Sequence, residues 1–415
     1  MKIYDLKEAF GLAMEGLDIP YPEMSLEDLQ VYMTRNSQPL VWLTKNESTG
    51  AKACYRARHA SDLLENPESV TYLDTSSDGE VDLPQFIVEY IEDKGIRVLN
   101  VSYPDWIENL KWKRPVKWRV NVLGLGDVGG TLLTGLRLMG HGVIDEIGLF
   151  DLDVNRRRRW ALELGQILDP NIADYPTIKE IEMDDLFDCD MFVFCASRSV
   201  PEVGSDVKDV RMIQYESNSK IIEPYAQMAR EKGFKGIFAV VSDPVDQLCY
   251  RVYHSSNVDA NGSFDGQGLK PEQVRGYGLG VMFARASYYA QVEQVDFSHG
   301  RAYGPHGKEL IVVNNPQKYD PALSEKLTKM TVEANLEVRE AGYKPFIAPA
   351  LSSGALSLIN TMKGKWHDSA VMLGGVYIGC RNKLSTQGVQ VERQYVDPKV
   401  IGKLNDVAKV LKSYV

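Results

Sequence analysis

Positive charge is in short supply. Lys and Arg number 47 against 57 Asp and Glu, for a formal net charge of -10. No cationic excess is left to neutralise phosphates, so a nucleic-acid partner is not expected. Cysteine is scarcer: five in 415 residues, scattered, with no Cys-x-x-Cys pair. That excludes a disulfide framework, argues against structural zinc and predicts no metal site. It fits a reducing, cytoplasmic setting. No apolar run approaches the roughly 18 residues of a membrane span, so no membrane partner is expected. The opening "MKIYDLKEAFGLAMEG" sets acids among its apolar residues, unlike a signal peptide. Internal repeats and low-complexity tracts are missing too. What is present is ordinary for a globular chain: 44% hydrophobic and 25% charged residues. At about 150 residues per domain, the length suggests two or three domains.

Residues 1–115 read as a mixed α/β segment. "SLEDLQVYM" starts as a capped helix, with Asp28 placed to complete the cap of Ser25. "PLVWLT", "SVTYLDT" and "IRVLNVSY" read as strands, and "LPQFIVEYIEDKG" as an amphipathic helix stopped by Gly95. From 116 to 262 the pattern becomes strand–helix–strand: "VKWRVNVLGLG", "DVGGTLLTGLRLMG", "DEIGLFDLD", "CDMFVFCAS", a helix through "MIQYESNSKIIEPYAQMAREKG", and "GIFAVVSDP". Such alternation predicts an α/β fold with a Rossmann-type, doubly wound parallel sheet. The polar, Gly-rich stretch 255–273 reads as a boundary or a mobile surface loop. Residues 263–415 are expected to form an α+β substrate domain: a helix, the strand-like "VEQVDFSHG", "KELIVV", and long helices to the end.

Gly124-Leu125-Gly126-Asp127-Val128-Gly129 fits G-x-G-x-x-G, follows a strand and opens a helix, and Asp151 ends the next strand. In that context the motif is a dinucleotide fingerprint. The first glycine permits a tight turn, and the second lets backbone approach a pyrophosphate at the helix N-terminus. A carboxylate at 151 suits the adenine ribose hydroxyls and repels a 2′-phosphate, so NAD is favoured over NADP. The run Arg156 to Arg159 falls just past the acid and could reach a phosphate, but reads rather as a solvated helix face whose stems cover apolar surface.

"SHGRAYGPHGKEL" holds two of the six histidines. Gly304-Pro305-His306-Gly307 suits a turn, which presents the imidazole rather than packing it. A neutral-range pKa makes His306 a candidate proton carrier. His299 reads as a structural residue of the same loop.

Taken together, these segments resemble the lactate/malate dehydrogenase family, over about 118 to 413. "GLGDVGGTLLTGLRLMGHGVIDEIGLFDLD" is similar to the family's nucleotide-binding start and "ALELGQILD" to its next helix. "VVSDPVDQLCY" resembles its V-S/T-N-P-V-D segment, and "SHGRAYGPHGKE" its H-G-x-x-x-G-E-H-G-D segment. The resemblance implies hydride transfer between NAD and a 2-hydroxy or 2-oxo acid, with His306 as acid/base. Arg285, in "GYGLGVMFARAS", falls at the carboxylate-binding arginine. Arg211, in "RMIQYESNSKI", falls at the arginine that polarises the carbonyl. Ser197 joins Gly124, Gly126, Asp127, Val128, Gly129 and Asp151 around the cofactor. Arg198 stands where substrate selectivity is read. A homodimer or homotetramer is implied.

The chain departs from the family in four ways. Met282 replaces the aspartate that orients the histidine, at the expense of a charge-assisted hydrogen bond of roughly 1.5–3 kcal/mol. Asp243 replaces the asparagine of the N-P-V segment, either as a substitute partner for His306 or as a carboxylate that welcomes an amine or iminium. The loop from Arg198 to Arg211 is longer. Residues 1–115 are additional. Three readings follow: a 2-hydroxy acid dehydrogenase, an imine or amino-acid dehydrogenase using Asp243, and a catalytically silent NAD-binding sensor or scaffold. An NAD-dependent glycosidase lacks its Cys-Asn-x-Pro segment here.

Overall fold

The computed structural model describes residues 1–35, 38–47, 49–197 and 210–414. The chain begins with an antiparallel hairpin, β1 (Lys2–Asp5) and β2 (Phe10–Ala13). Helix α1 (Leu26–Arg35) is capped as expected, since Ser25 Oγ accepts the Asp28 N–H at 3.0 Å. Then come β3 (Leu40–Thr44), β4 (Cys54–Ala57), α2 (Gln85–Lys94), β5 (Ile96–Asn100) and the short α3 (Glu108–Lys111). "SVTYLDT" is not a strand: Val70–Leu73 is a 3-10 turn, because Ser69 Oγ accepts the Thr71 N–H and offers the backbone a local alternative to a ladder.

The next segment comprises β6 (Trp118–Leu123), α4 (Asp127–Met139), β7 (Ile144–Phe150), α5 (Val154–Gly165), β8 (Thr177–Glu180), β9 (Met191–Phe194), α6 (Val210–Glu231), β10 (Ile237–Val240), α7 (Val245–Ser256) and β11 (Val274–Gly276). It alternates as the sequence predicts at β6, β7, β9 and β10, and adds two strands that the sequence reading lacks, β8 and β11. The six strands are parallel in the order β8-β7-β6-β9-β10-β11, so the winding reverses between β6 and β9. Helices cover both faces, which is why "MFVF" and "IFAV" are apolar at every position and wholly buried. The stretch after α7 is held from within: the Asn257 side chain donates to Tyr253 O at 2.8 Å and Leu269 O at 2.9 Å.

Beyond β11 the sequence reading needs two corrections. "VEQVDFSHG" is not strand-like. Helix α8 (Leu279–Val292) runs into it, Gln294 takes a positive φ of 56°, and Asp296 accepts the Ser298 N–H at 2.9 Å to close a turn. After β12 (Arg301–Tyr303), β13 (Ile311–Val313), α9 (Pro321–Glu340), a π-helical stretch Pro349–Leu356 and α10 (Ser357–Lys363), the chain does not stay helical. It forms β14 (His367–Leu373), β15 (Val376–Ser385) and β16 (Gly388–Val391) before α11 (Pro398–Lys412). Gly374 and Gly375, at φ 69° and 75°, make the two-residue turn between β14 and β15. A two-residue turn with both φ values positive is glycine's own hairpin.

These strands join the molecule into one surface. β14 pairs with β11, and β16 pairs in parallel with β4 through Val389 and Tyr55. Fourteen of the described strands thus form one sheet, β1-β2-β3-β5-β4-β16-β15-β14-β11-β10-β9-β6-β7-β8, and β12 and β13 pair antiparallel beside it. Arg97, buried in β5, reinforces the join by donating to Thr386 O at 2.7 Å. Among the described residues, no helix is long and apolar enough to cross a membrane.

Candidate active site

The C-terminal ends of β6, β7, β9 and β10 deliver Gly124, Asp151, Ser197 and Asp243 to the same edge of the sheet. Ligands of doubly wound folds sit at this edge, where the winding reverses. Gly124 has φ 91°, and a Cβ there would lie 2.6 Å from Ala196 N. At Gly129 a Cβ would lie 1.9 Å from Gly124 O, which explains glycine where the helix crosses the turn. Gly126 is the opposite case: a Cβ would meet nothing within 4 Å, so the backbone there faces open space at the start of α4. Its neighbour Val128 packs against the core, and Asp127 pairs with Lys344 at 3.4 Å. This bare cradle at a helix N-terminus fits a pyrophosphate.

Asp151 does more than wait for a ribose. It accepts the Leu125 N–H of the glycine loop at 2.8 Å and the Asp153 N–H at 2.9 Å, and pairs with Arg156 at 3.2 Å. The acid therefore also braces the loop. The arginine run is only partly a solvated face. Arg157 is buried, with its guanidinium on Ile181 O at 2.7 Å and Glu182 at 3.0 Å, while Arg158 and Arg159 pair at the surface. Ser197 is exposed where the described chain stops. Arg198 lies outside the described residues, as does the side chain of Arg211, whose backbone belongs to the first turn of α6.

His306 sits on the loop between β12 and β13. Reciprocal hydrogen bonds anchor this loop to β15: Gly304 N–H to Gly379 O at 2.9 Å, and the reverse at 3.2 Å. Gly278 makes room for it, since a Cβ at 278 would lie 2.8 Å from His306 Cβ. The imidazole Nδ1 lies 2.8 Å from Asp243 Oδ1. Asp243 is held in turn, its carbonyl accepting the buried Asn218 side-chain N–H at 2.7 Å, and its bond to Pro244 is cis. The His306 backbone N–H donates to Asp246 at 3.2 Å.

Electrostatics follow from this geometry. Burial pulls the His306 pKa down, but the Asp243 charge and hydrogen bond push it up and win, so the pKa lies above its ordinary value. The buried Asp246 carboxyl is pushed up to about 7 by desolvation, against the opposing hydrogen bond from His306.

Asp243 and His306 line a cavity of ≈ 160 Å³ together with Met282, Arg285, Gln214 and Gln247. Arg285 donates to the Asn335 side-chain oxygen and approaches Met282 Sδ at 3.7 Å. The cavity thus holds an imidazole–carboxylate pair and a guanidinium, a set able to move a proton beside an anionic group. His299 stands apart, exposed. Asp246, Asn335, Gln214 and Gln247 escaped the sequence reading. Asp246 had a signal, as the acid of "SDPVD", whereas Asn335 is one polar residue in a long helix and reaches the site only through packing.

Residues 118–265 match the family described as lactate/malate dehydrogenase, NAD binding domain. The chain is 32% identical over 144 residues to the L-lactate dehydrogenase of Bacillus caldotenax, covering 34% of this chain and 42% of that protein. It is 30% identical over 203 residues to that of Geobacillus kaustophilus (strain HTA426), covering 47% and 56%. The chain thus spans about half the length of the curated relatives it matches. Among solved structures, a lactate dehydrogenase from a Medee basin deep-sea metagenome library superposes with TM-score 0.59 at 20% identity, over 72% of this chain and 98% of that one. The malate dehydrogenase from Archaeoglobus fulgidus in complex with NADH gives 0.58 at 19%, over 71% and 98%.

Proposed function

Because the chain belongs to the lactate/malate dehydrogenase family, with NAD as the cofactor of residues 118–265, we propose that it is a 2-hydroxy acid dehydrogenase whose proton carrier, His306, is oriented by Asp243. The observation that carries this reading is the 2.8 Å contact between His306 Nδ1 and Asp243 Oδ1 in a cavity shared with Arg285.

Bound NAD supplies the hydride donor or acceptor, and the chain's residues do the rest. Arg285 holds the substrate carboxylate with its planar fork. Its bond to Asn335 fixes the fork's plane. His306 gives a proton to the 2-oxo oxygen during reduction and takes it back during oxidation. Asp243 keeps the ring oriented and favours its charged form, the task the family gives to an acid at the position of Met282. The family resemblance assigns Arg211 to polarising the carbonyl and Arg198 to reading the substrate side chain. The substrate is a small 2-oxo or 2-hydroxy acid, and the assembly a homodimer or homotetramer.

The test is NADH oxidation against a panel of 2-oxo acids, each with and without ammonium or small amines, for the wild type and His306→Ala. Turnover without amine, lost in the variant, is expected. Turnover only with amine would shift the reading to imine reduction beside Asp243. NADH binding with no turnover on any acid would leave the sensor reading.

A further inference from the structure

A larger cleft lies at the other end of the parallel strands. It measures ≈ 580 Å³ and lies where the first 115 residues meet the sheet's N-terminal edge. Trp118 opens β6, Asp190 precedes β9, Gly236 precedes β10 and Gln273 precedes β11, and all four line it. Cys54 of β4 and Val389 of β16, the strands that join the extension to the sheet, line it as well. The volume falls in the range of small-molecule pockets, roughly 300–1,000 Å³.

Its walls and its charge point to one class of ligand. The half-buried Trp112 and the largely buried Phe187 and Phe234 give it apolar walls, while Trp118, though it lines the cleft, is fully buried. The indole N–H of Trp118 is buried and has no acceptor among the described residues. Most of the lining charges cancel in place. Lys270 pairs with Asp105 at 3.1 Å, Lys235 with Asp105 at 3.5 Å and Glu108 at 3.6 Å, and Arg119 with Asp188 at 3.2 Å. Lys111 pairs away from the cleft with Glu8. Asp190 accepts the Arg119 N–H at 2.8 Å. Glu272 accepts the Cys54 N–H at 2.8 Å, and its burial pushes it up to about 7, so its negative charge is muted at neutrality. Lys113 and Lys232 form no ion pair among the described residues, and both are exposed at the mouth. The mouth thus carries two cations outside any ion pair, while Asp190 and Glu272, the lining carboxylates without a cationic partner among the described residues, are part-buried.

We propose that this cleft is a second ligand site, distinct from the NAD and substrate cavity, that takes a flat apolar organic anion, with its rings between the tryptophan and phenylalanine walls and its acidic group at Lys113 and Lys232. The site is built on the strands that carry Asp243 and lead into α8 with Arg285, so its occupant sits at the far end of the catalytic framework.

The probe is 1-anilinonaphthalene-8-sulfonate, titrated by fluorescence into the full chain at saturating NADH, so that the nucleotide cleft is closed to it. One saturable dye per chain, undisturbed by NADH, is expected. The double variant Lys113→Glu/Lys232→Glu, both surface positions, should weaken the dye about tenfold while leaving NADH affinity unchanged. The neutral dye N-phenyl-1-naphthylamine should bind the double variant and the wild type alike, and Trp112→Ala should weaken both dyes. Absence of saturation, displacement by NADH, or full retention of the sulfonate by the double variant would overturn the proposal.

Discussion

The glycine loop and the histidine loop serve the same edge of the sheet and are built in opposite ways. The glycine loop is a backbone device. Its fit depends on where Cβ atoms are missing, and Gly129 leaves 1.9 Å where a methyl would need nearly twice that. The histidine loop is a side-chain device. Its partner acid comes from the end of β10, through Asp243, and α8 offers Met282 instead. A backbone fit has one solution, because no other residue supplies the missing volume. A carboxylate can be delivered from any element that reaches the imidazole. The two loops therefore differ in how freely their parts can be relocated.

The largest expected effect tests whether the histidine loop works at all. His306→Ala should lower kcat/KM by about 10²–10⁴-fold with NADH affinity unchanged, as read by steady-state kinetics and nucleotide fluorescence. An unchanged kcat/KM would end the proton-carrier reading. On the other loop, Gly129→Ala forces Gly124 O aside at a cost of about 1–3 kcal/mol. It should weaken NADH about tenfold or more, and an NADH titration unaffected by the change would show the loop to be softer than its contacts imply.

Asp243→Asn keeps the shape and removes the charge. We expect a loss of about tenfold or more in 2-oxo acid reduction at neutral pH, from a charge-assisted bond of roughly 1.5–3 kcal/mol. The pH profile carries the finer mark. Asp243 raises the His306 pKa, and in the proposed reaction reduction needs the protonated ring. The rate therefore falls as pH rises through that pKa, and in Asp243→Asn the fall should begin at lower pH. Relocation is tested directly by adding Met282→Asp to that variant. Recovery of about tenfold would show that either element can supply the acid, and no recovery would tie the function to β10 alone.

The smallest effect concerns Asp246. Its folded pKa of about 7 exceeds the ordinary carboxylate value, so the native state holds a proton that the unfolded chain has lost. That makes stability fall as pH rises from about 4 to 7, with a slope of at most about 1.4 kcal/mol per pH unit for one group. Asp246→Asn should flatten this slope in thermal melts across the window. An undiminished slope would place the titration elsewhere, for example at Glu272, which is also pushed up to about 7.

Much of this was legible in the chain. Four of the six parallel strands, β6, β7, β9 and β10, announce themselves as largely apolar runs, since burial on both faces leaves little choice of residue, whereas β8, "TIKE" at the sheet's edge, and the three-residue β11 do not. Glycine spacing at 124, 126 and 129 marks the nucleotide turn because the constraint is local. Asp243 stood out as a replacement, and its pairing with His306 was one of two alternatives that the sequence left open. The misses have a common cause. Gly374-Gly375 flanked by "AVML" and "VYIG" is a hairpin signal, hidden among helical neighbours. Ser69 diverts "VTYL" from a strand by one hydrogen bond, which no periodicity reports. Asn335 joins the site from a long helix purely by tertiary packing.

The single parallel contact between Tyr55 and Val389 bears on how the chain could be cut. A protein without residues 1–115 would not be a shorter version of the same molecule. It would present β16 as a bare ribbon, with unpaired N–H and C=O groups open to any passing strand. Such a fragment invites self-stacking. The leading segment thus covers, through Tyr55, an edge that its own sheet would otherwise leave open.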